Sequence, residues 1–201
     1  MSQNPYAKQA HKIMGHASIL LSQTDWNLIS DNNGVMLESK SFPEICPVSC
    51  FRADAIIENN SEFLSNCIWN QTEEDVKNKD TDVLSWEILD EGPDWKVFRQ
   101  INRMPWPIWS REVVCAQVKV QKEDTTWIVM FSVNHQAAPR QDNQYVRAVI
   151  HQSIYKFIKE DNKTHVWKLS HIDPSGNIPA FVIDLYANKL AQVLYDWKQQ
   201  K

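Results

Sequence analysis

The chain has 201 residues, 43% of them hydrophobic, which is enough to bury the core of one globular domain. Its 21 basic and 25 acidic residues give a net charge of −4, which argues against a nucleic-acid partner because phosphate binding needs a basic face. Among its four glycines there is no phosphate-cradling string, and we expect neither a cofactor nor a metal ion.

The N-terminal part predicts helices separated by a few strands. Apolar residues at helical spacing indicate the first helix. Gly34 suits the positive φ of a hairpin turn, and Asn60 or Ser61 suits a helix N-cap. A polar stretch of helical or irregular structure follows Trp69. The predicted elements are a helix over 6–23, strands over 26–30, 35–39 and 51–57, and a helix over 61–69.

From Val83 the hydrophobic period becomes two, which is typical of strands. The runs are joined by short polar turns, so they predict consecutive antiparallel pairs. Pro179 fits the first turn of a long amphipathic helix over 178–197. The predicted strands are 83–89, 95–101, 111–121, 127–133, 145–160 and 165–172.

This order describes an α+β protein with a curved antiparallel sheet of about nine strands and a long C-terminal helix. A sheet of that size curls strongly, and the terminal helix is the element available to cover its concave face. The gap between them predicts an internal hydrophobic cavity. We divide a single domain over 1–201 into an N-terminal helix (1–24), the curved sheet with a helical insertion (25–177) and a lid helix (178–199).

Neither a signal peptide nor a membrane span is visible in the sequence. The first 25 residues lack an unbroken apolar core, and no run of 18 apolar residues occurs. The four cysteines lack zinc-site spacing, and we predict free thiols of a reducing compartment. We therefore expect a cytoplasmic protein, and a monomer.

Two strings stand out from this general pattern. Residues 104–114 read MPWPIWSREVV, which resembles the loop and strand of the START family that carry PWP followed by RD or RE. Residues 173–179 read DPSGNIP and resemble that family's junction between its last strand and last helix. Three further segments agree in order and spacing, so that the resemblance covers about 25–200: Trp26 to Val35, Phe51 to Ala53, and Val146 with Arg147.

The resemblance implies a helix-grip fold with one internal lipid site, carriage of sterols, phospholipids, ceramides or related lipids, and no catalysis. Two positions depart from the family pattern. Lys79 and Asp80 stand where many members have Trp-Asp. Gln117 stands six residues after Arg111, where sterol-binding members have a buried arginine, which weakens a sterol assignment.

The loop around Trp106, Ile108 and Trp109 is the candidate gate and membrane contact. Prolines keep it extended, and bulky apolar groups on an exposed loop would insert into a bilayer interface or gate a cavity. The alternative is that Trp106 and Trp109 plug the interior.

Arg147 is the candidate cation for a lipid headgroup, because a guanidinium can pair with phosphate through two hydrogen bonds. The alternatives are an exposed strand arginine or an ion pair with Glu112. Arg99 and Arg111 are rivals for the headgroup, although the position of Arg111 in the motif favours a structural role.

The sequence leaves open which strand faces line the cavity. On 111–121, amphipathicity places the valines inward, whereas the family resemblance places Gln117 inward. We predict six further contacts with the lipid, four on strands and two on the last helix: Trp127, Phe131, Trp167, Leu169, Val182 and Tyr186.

These observations predict a protein that binds a single lipid and carries or senses it in the cytosol, with transient contact to a membrane surface. One alternative is a ligand-free interaction module, which requires a filled interior. Another is an enzyme on a similar scaffold, which requires titratable groups such as Glu87, His151 or His171 clustered in a deep pocket.

Overall fold

The computed structural model describes residues 4–141 and 143–200, and in them the chain forms four helices and ten strands. None of these helices is long and apolar enough to cross a membrane. In chain order the elements are α1 (Ala7–Ser22), β1 (Asn27–Asn32), β2 (Val35–Lys40), β3 (Cys50–Ile57), α2 (Ser61–Trp69), α3 (Glu73–Lys79), β4 (Val83–Glu91), β5 (Trp95–Asn102), β6 (Arg111–Lys122), β7 (Thr125–Ser132), β8 (Val146–Arg147), β9 (Val149–Glu160), β10 (Lys163–Asp173) and α4 (Ala180–Gln199).

The strands form one sheet in the order β1-β2-β3-β10-β9-β7-β6-β5-β4, and all neighbours along this path are antiparallel. The predicted antiparallel sheet with a long C-terminal helix is therefore confirmed. The pairing of β3 with β10 joins the N-terminal hairpin to the last strand, with Arg52 opposite Leu169. This long-range pairing was not predicted.

The prediction of a single strand over 145–160 is wrong, because the strand is interrupted at Ala148. The two residues of β8 lie parallel to the start of β6, and the Ala148 N–H donates to the carbonyl of Glu112 at 2.9 Å. The chain then moves to the other side of β7, where the Ile150 N–H donates to Ser132 Oγ at 2.8 Å. Hydrogen bonds to two different strands, one to a backbone carbonyl and one to a serine side chain, therefore end one strand and start the next.

Side-chain caps define the short helices. Asn60 Oδ1 accepts from the Phe63 N–H at 2.7 Å, which makes Asn60 the N-cap of α2. Thr72 and Asp75 form a reciprocal capping box at the start of α3. The polar stretch after Trp69 is therefore helical. The four cysteines are free, as predicted.

Both faces of the central strands are buried, but against different partners. On β6, Val114, Ala116 and Val118 share a core cluster with the apolar face of α1, on the convex side of the sheet. Gln117 is turned toward the concave side and is also buried. Because helices cover both faces, hydrophobic alternation cannot show which face of β6 lines the interior.

Helix α4 covers part of the concave face and packs on β2, β3 and β10. Its buried stripe is Ala187, Leu190, Ala191, Leu194 and Trp197. Each large side chain of this stripe contributes roughly 1.5–3 kcal/mol of burial free energy. On the other half of the curved sheet α2 packs on β7 and β9 and the shorter α3 packs on β4, and a space remains between these helices, α4 and the sheet.

Candidate functional site

A cavity of about 710 Å³ lies between α4 and the concave face of strands β4 to β10. That volume falls within the roughly 300–1,000 Å³ typical of small-molecule sites. A smaller cavity of about 60 Å³ continues along α4 toward its first turns, beside Met104, Ile178 and Val182. The two share Val113 and Tyr186 among their lining residues, so they are adjacent in the interior.

Most of the cavity wall is apolar. Each strand contributes side chains of one alternating set, and α4 contributes the opposite wall. The apolar wall includes Trp86, Phe98, Val113, Met130, Ile150, Ile172, Leu190 and Val193. Such a surface favours a hydrocarbon ligand, because each buried methylene contributes roughly 0.8 kcal/mol.

A row with three polar side chains crosses this apolar wall. Gln117 lies opposite Met130, Met130 opposite Ser153, and Ser153 opposite Ser170, so one residue from each of four adjacent strands is in register. All four line the larger cavity. The side chains of Gln117 and Ser170 make no hydrogen bond with the described residues, which leaves their polar groups free to meet a ligand.

Lys168 lies beside this row on β10, with Tyr155 as its cross-strand neighbour. Its Nζ donates to Ser153 Oγ at 2.9 Å and lies 3.8 Å from the centroid of the Tyr155 ring. Within residues 4–141 and 143–200, no carboxylate lies at ion-pair distance from it. Burial lowers the pKa of the Lys168 ammonium to about 7, because the charged form is deprived of water.

Ion pairs bridge the rim of the larger cavity at the middle of α4. Lys189 Nζ lies 2.7 Å from Asp80 Oδ1 and 2.7 Å from Asp82 Oδ2, and all three residues line the larger cavity. The two carboxylates raise the pKa of Lys189 against the opposing effect of its burial. This contact ties α4 to the turn that precedes β4.

Arg111 lies near the start of α4, where it lines the smaller cavity. Its guanidinium donates to the carbonyls of Trp109, Pro174 and Ser175 at 2.5, 2.6 and 2.9 Å. The motif arginine thus holds the tryptophan-containing loop against the junction that leads into α4. This placement agrees with the structural role expected for Arg111.

The three candidate gate residues lie outside both cavities. Trp106 is 93% exposed and Trp109 is 53% exposed, whereas Ile108 is half-buried. The alternative in which the two tryptophans plug the interior is therefore wrong. Near the start of α4, Phe181 and Leu185 are also more than half exposed.

Arg147 does not line the cavity. It pairs with Glu112 at 2.8 Å, and its Nη2 donates to the carbonyl of Ala138 at 3.1 Å. Glu112, 1% exposed, also accepts from Arg99 Nε at 2.5 Å. The structure thus places Arg147 in the alternative arrangement considered for it, because one buried carboxylate binds both arginines.

Four predicted lining residues also lie elsewhere. Trp127, Phe131 and Leu169 belong to the core cluster beneath α1, and Trp167 lies 5.5 Å from the guanidinium of Arg52. The expectation that they face the cavity is wrong, because α1 buries the convex face and draws the most apolar alternating set to its side. Three other predicted contacts do line the interior: Gln117, Val182 and Tyr186.

Lys168, Ser153 and Ser170 were missed in the sequence. Lys168 lies between Trp167 and Leu169, so the alternation marks it as a solvent-facing residue. The available signal was its location in the strand before the C-terminal helix, because a helix that covers a sheet face buries the side chains that point toward it.

A curved antiparallel sheet that grips a C-terminal helix around a cavity is the helix-grip arrangement. The chain belongs to the START domain family, whose sequence model matches residues 16–200. This confirms the resemblance seen in the loop and junction motifs. A comparison with curated proteins finds no match to the sequence.

Solved structures share this fold. Human StAR-related lipid transfer protein 5 superposes with a TM-score of 0.80 at 20% identity, over 96% of this chain and 94% of that one. Human STARD10 gives 0.76 at 19% identity, over 98% and 84%. A fragment of the STAR-related lipid transfer protein from Xanthomonas axonopodis gives 0.71 at 17% identity, over 88% and 98%. At these identities the likeness shows the fold alone.

Proposed function

We propose that this protein binds a single lipid in the cavity between α4 and the curved sheet, and that it carries or senses that lipid in the cytosol. The observation that supports this most directly is the cavity of about 710 Å³, whose wall is mostly apolar and carries the polar side chains of Gln117, Ser153 and Ser170. The names of structural neighbours, which are lipid transfer proteins, point in the same direction.

The lipid would exchange at the end where Arg111 holds the loop against the junction before α4. Trp106 on the loop and Phe181 on α4 are exposed apolar groups near this end. Aromatic side chains favour the membrane interface, so both would enter a bilayer surface on transient contact. The small cavity beside Met104 and Val182 is lined at this end by Arg111 and would be the exit path.

The cavity counts against the interaction-module alternative, which requires a filled interior. For the enzyme alternative, Glu87 pairs with Arg99 at a half-exposed position. His151 and His171 lie with ring centroids 5.4 Å apart, and neither lines either of the two cavities described above. The groups named for that alternative therefore do not converge on the interior, and we propose binding as the function.

Native mass spectrometry of the purified protein, before and after lipid extraction, tests the proposal. A stoichiometric adduct that disappears on extraction and returns after incubation with mixed liposomes is expected. Val113→Trp would fill the cavity and abolish the adduct, whereas Val149→Trp, at an exposed strand position, would keep it. Absence of any adduct from the native protein after liposome incubation would contradict the proposal.

A further inference from the structure

We propose that the ligand is a single-chain amphiphile with a carboxylate head, and that Lys168 is the residue that pairs with this carboxylate inside the cavity. The inference rests on the proposed function, since it names the class of lipid that the same cavity holds. It replaces Arg147 as the headgroup cation by a lysine on a different strand.

The polar groups around Lys168 are matched to an acceptor. An ammonium has three N–H donors, and Ser153 Oγ takes one of them, so two remain. Gln117 and Ser170 add an amide N–H and a hydroxyl O–H on the same row, neither of them used by the described residues. A carboxylate is an acceptor only and could take bonds from several of these donors at once.

The charge of the site points to the same chemistry. A buried ammonium without a counter-charge is unfavourable, and the described part of the chain supplies no carboxylate partner for Lys168. A ligand carboxylate would supply that charge and hold the amine in its protonated form. Lys168 by itself matches a monoanion such as a carboxylate, whereas a phosphomonoester dianion would leave one negative charge that Lys168 does not pair.

The positions of the apolar lining residues indicate in which direction the hydrocarbon chain would extend from Lys168. From the polar row, Val113, Ile150, Ile172 and Leu190 line the path toward the smaller cavity near the start of α4. The opposite rim carries charged groups, Lys189 with its two aspartates. A chain anchored by its head at Lys168 would therefore extend along α4 toward the exposed loop, where it could leave.

Calorimetric titration of the delipidated full chain with oleic acid and with oleyl alcohol at pH 7 tests the inference, because the two probes share one hydrocarbon chain. A charge-assisted pair predicts that the wild type prefers the acid by roughly ten- to hundredfold. Lys168→Met is expected to bind both probes equally, and Lys168→Gln, a second neutral variant, to lose most of the preference. Lys156→Met, on the neighbouring strand but opposite Trp127 on the other face, should keep it.

Retained binding of oleyl alcohol by Lys168→Met shows that the fold and cavity are intact. The inference is overturned if the wild type binds the alcohol as tightly as the acid, or if both neutral variants keep the preference. If the wild type takes neither probe but extracts phosphatidylcholine or cholesterol from vesicles, the carboxylate assignment fails while the proposed function stands. If it takes none of these, both fail.

Discussion

Replacing Lys168 by Met should stabilise the unliganded protein, because a desolvated amine is exchanged for an apolar side chain of similar length. The folded-state pKa of Lys168 is about 7, against an ordinary value of 10.5. At about 1.36 kcal/mol per pH unit, burial of the amine costs on the order of 5 kcal/mol below pH 7. The variant also loses the hydrogen bond to Ser153, which costs about 1 kcal/mol. The net gain in the free energy of unfolding is therefore about 3 kcal/mol at pH 7.

The pH dependence has a definite sign. Because the folded-state pKa is lowered, the unfolded chain binds more protons between pH 7 and 10.5, so the stability of the wild type rises with pH across that window. The advantage of Lys168→Met should fall by about 2 kcal/mol between pH 7 and pH 9. The titratable or charged groups that share its surroundings are Cys115 on β6, Tyr155 on β9, Lys79, Asp80 and Asp82 at and after the end of α3, and Tyr186, Lys189 and Asp196 on α4.

Burial raises the pKa of Cys115 and of Tyr155 well above this window, so both stay neutral within it. Urea unfolding of the delipidated wild type, Lys168→Met and the exposed-site control Lys159→Met at pH 7 and pH 9 measures the effect. An advantage of Lys168→Met that does not change with pH would refute the reasoning, because it would mean that the amine titrates as it does in water. Lower stability of Lys168→Met at pH 7 would do the same.

Three further changes have predictable effects. Glu112→Gln leaves Arg99 and Arg147 without their shared counter-charge and should cost about 3–5 kcal/mol in thermal or urea unfolding, whereas an unchanged stability would mean that the pairs are solvated. Trp106→Ser should leave the melting temperature unchanged, since the side chain is 93% exposed, yet weaken sedimentation with phosphatidylcholine vesicles; equal sedimentation would remove the membrane role of the loop. Lys189→Met breaks two half-exposed ion pairs and should lower the free energy of unfolding by at most about 1 kcal/mol. It should also speed lipid exchange between vesicles, and an unchanged rate would show that this contact does not restrain α4.

Local patterns predicted most of the elements but not how they are connected in the sheet. Period-two runs and turn residues mark most of the strands, because strand propensity and turn chemistry act over a few neighbouring residues. The interruption at Ala148 was not predicted, since it depends on hydrogen bonds to the Glu112 carbonyl and the Ser132 side chain on two other strands. The junction of β3 with β10 likewise joins segments more than a hundred residues apart.

The candidate site shows the same difference between what local patterns predict and what the tertiary structure decides. The amphipathic face of α4 is readable from Val182 and Tyr186 because solvent covers its other side. The strand residues Trp127 and Leu169 were assigned to the wrong side of the sheet, since their alternation reports contact with α1.

The sequence by itself determined that the chain makes a curled antiparallel sheet with a helix at each end, and motifs such as that around Arg111 determined its family. Only the tertiary structure decided which face of each central strand lines the cavity. Helices cover both faces, so alternation carries no information about direction there. For the same reason Lys168 resembles a surface lysine in the sequence, and only the placement of α4 over the concave face makes it a buried amine beside Ser153.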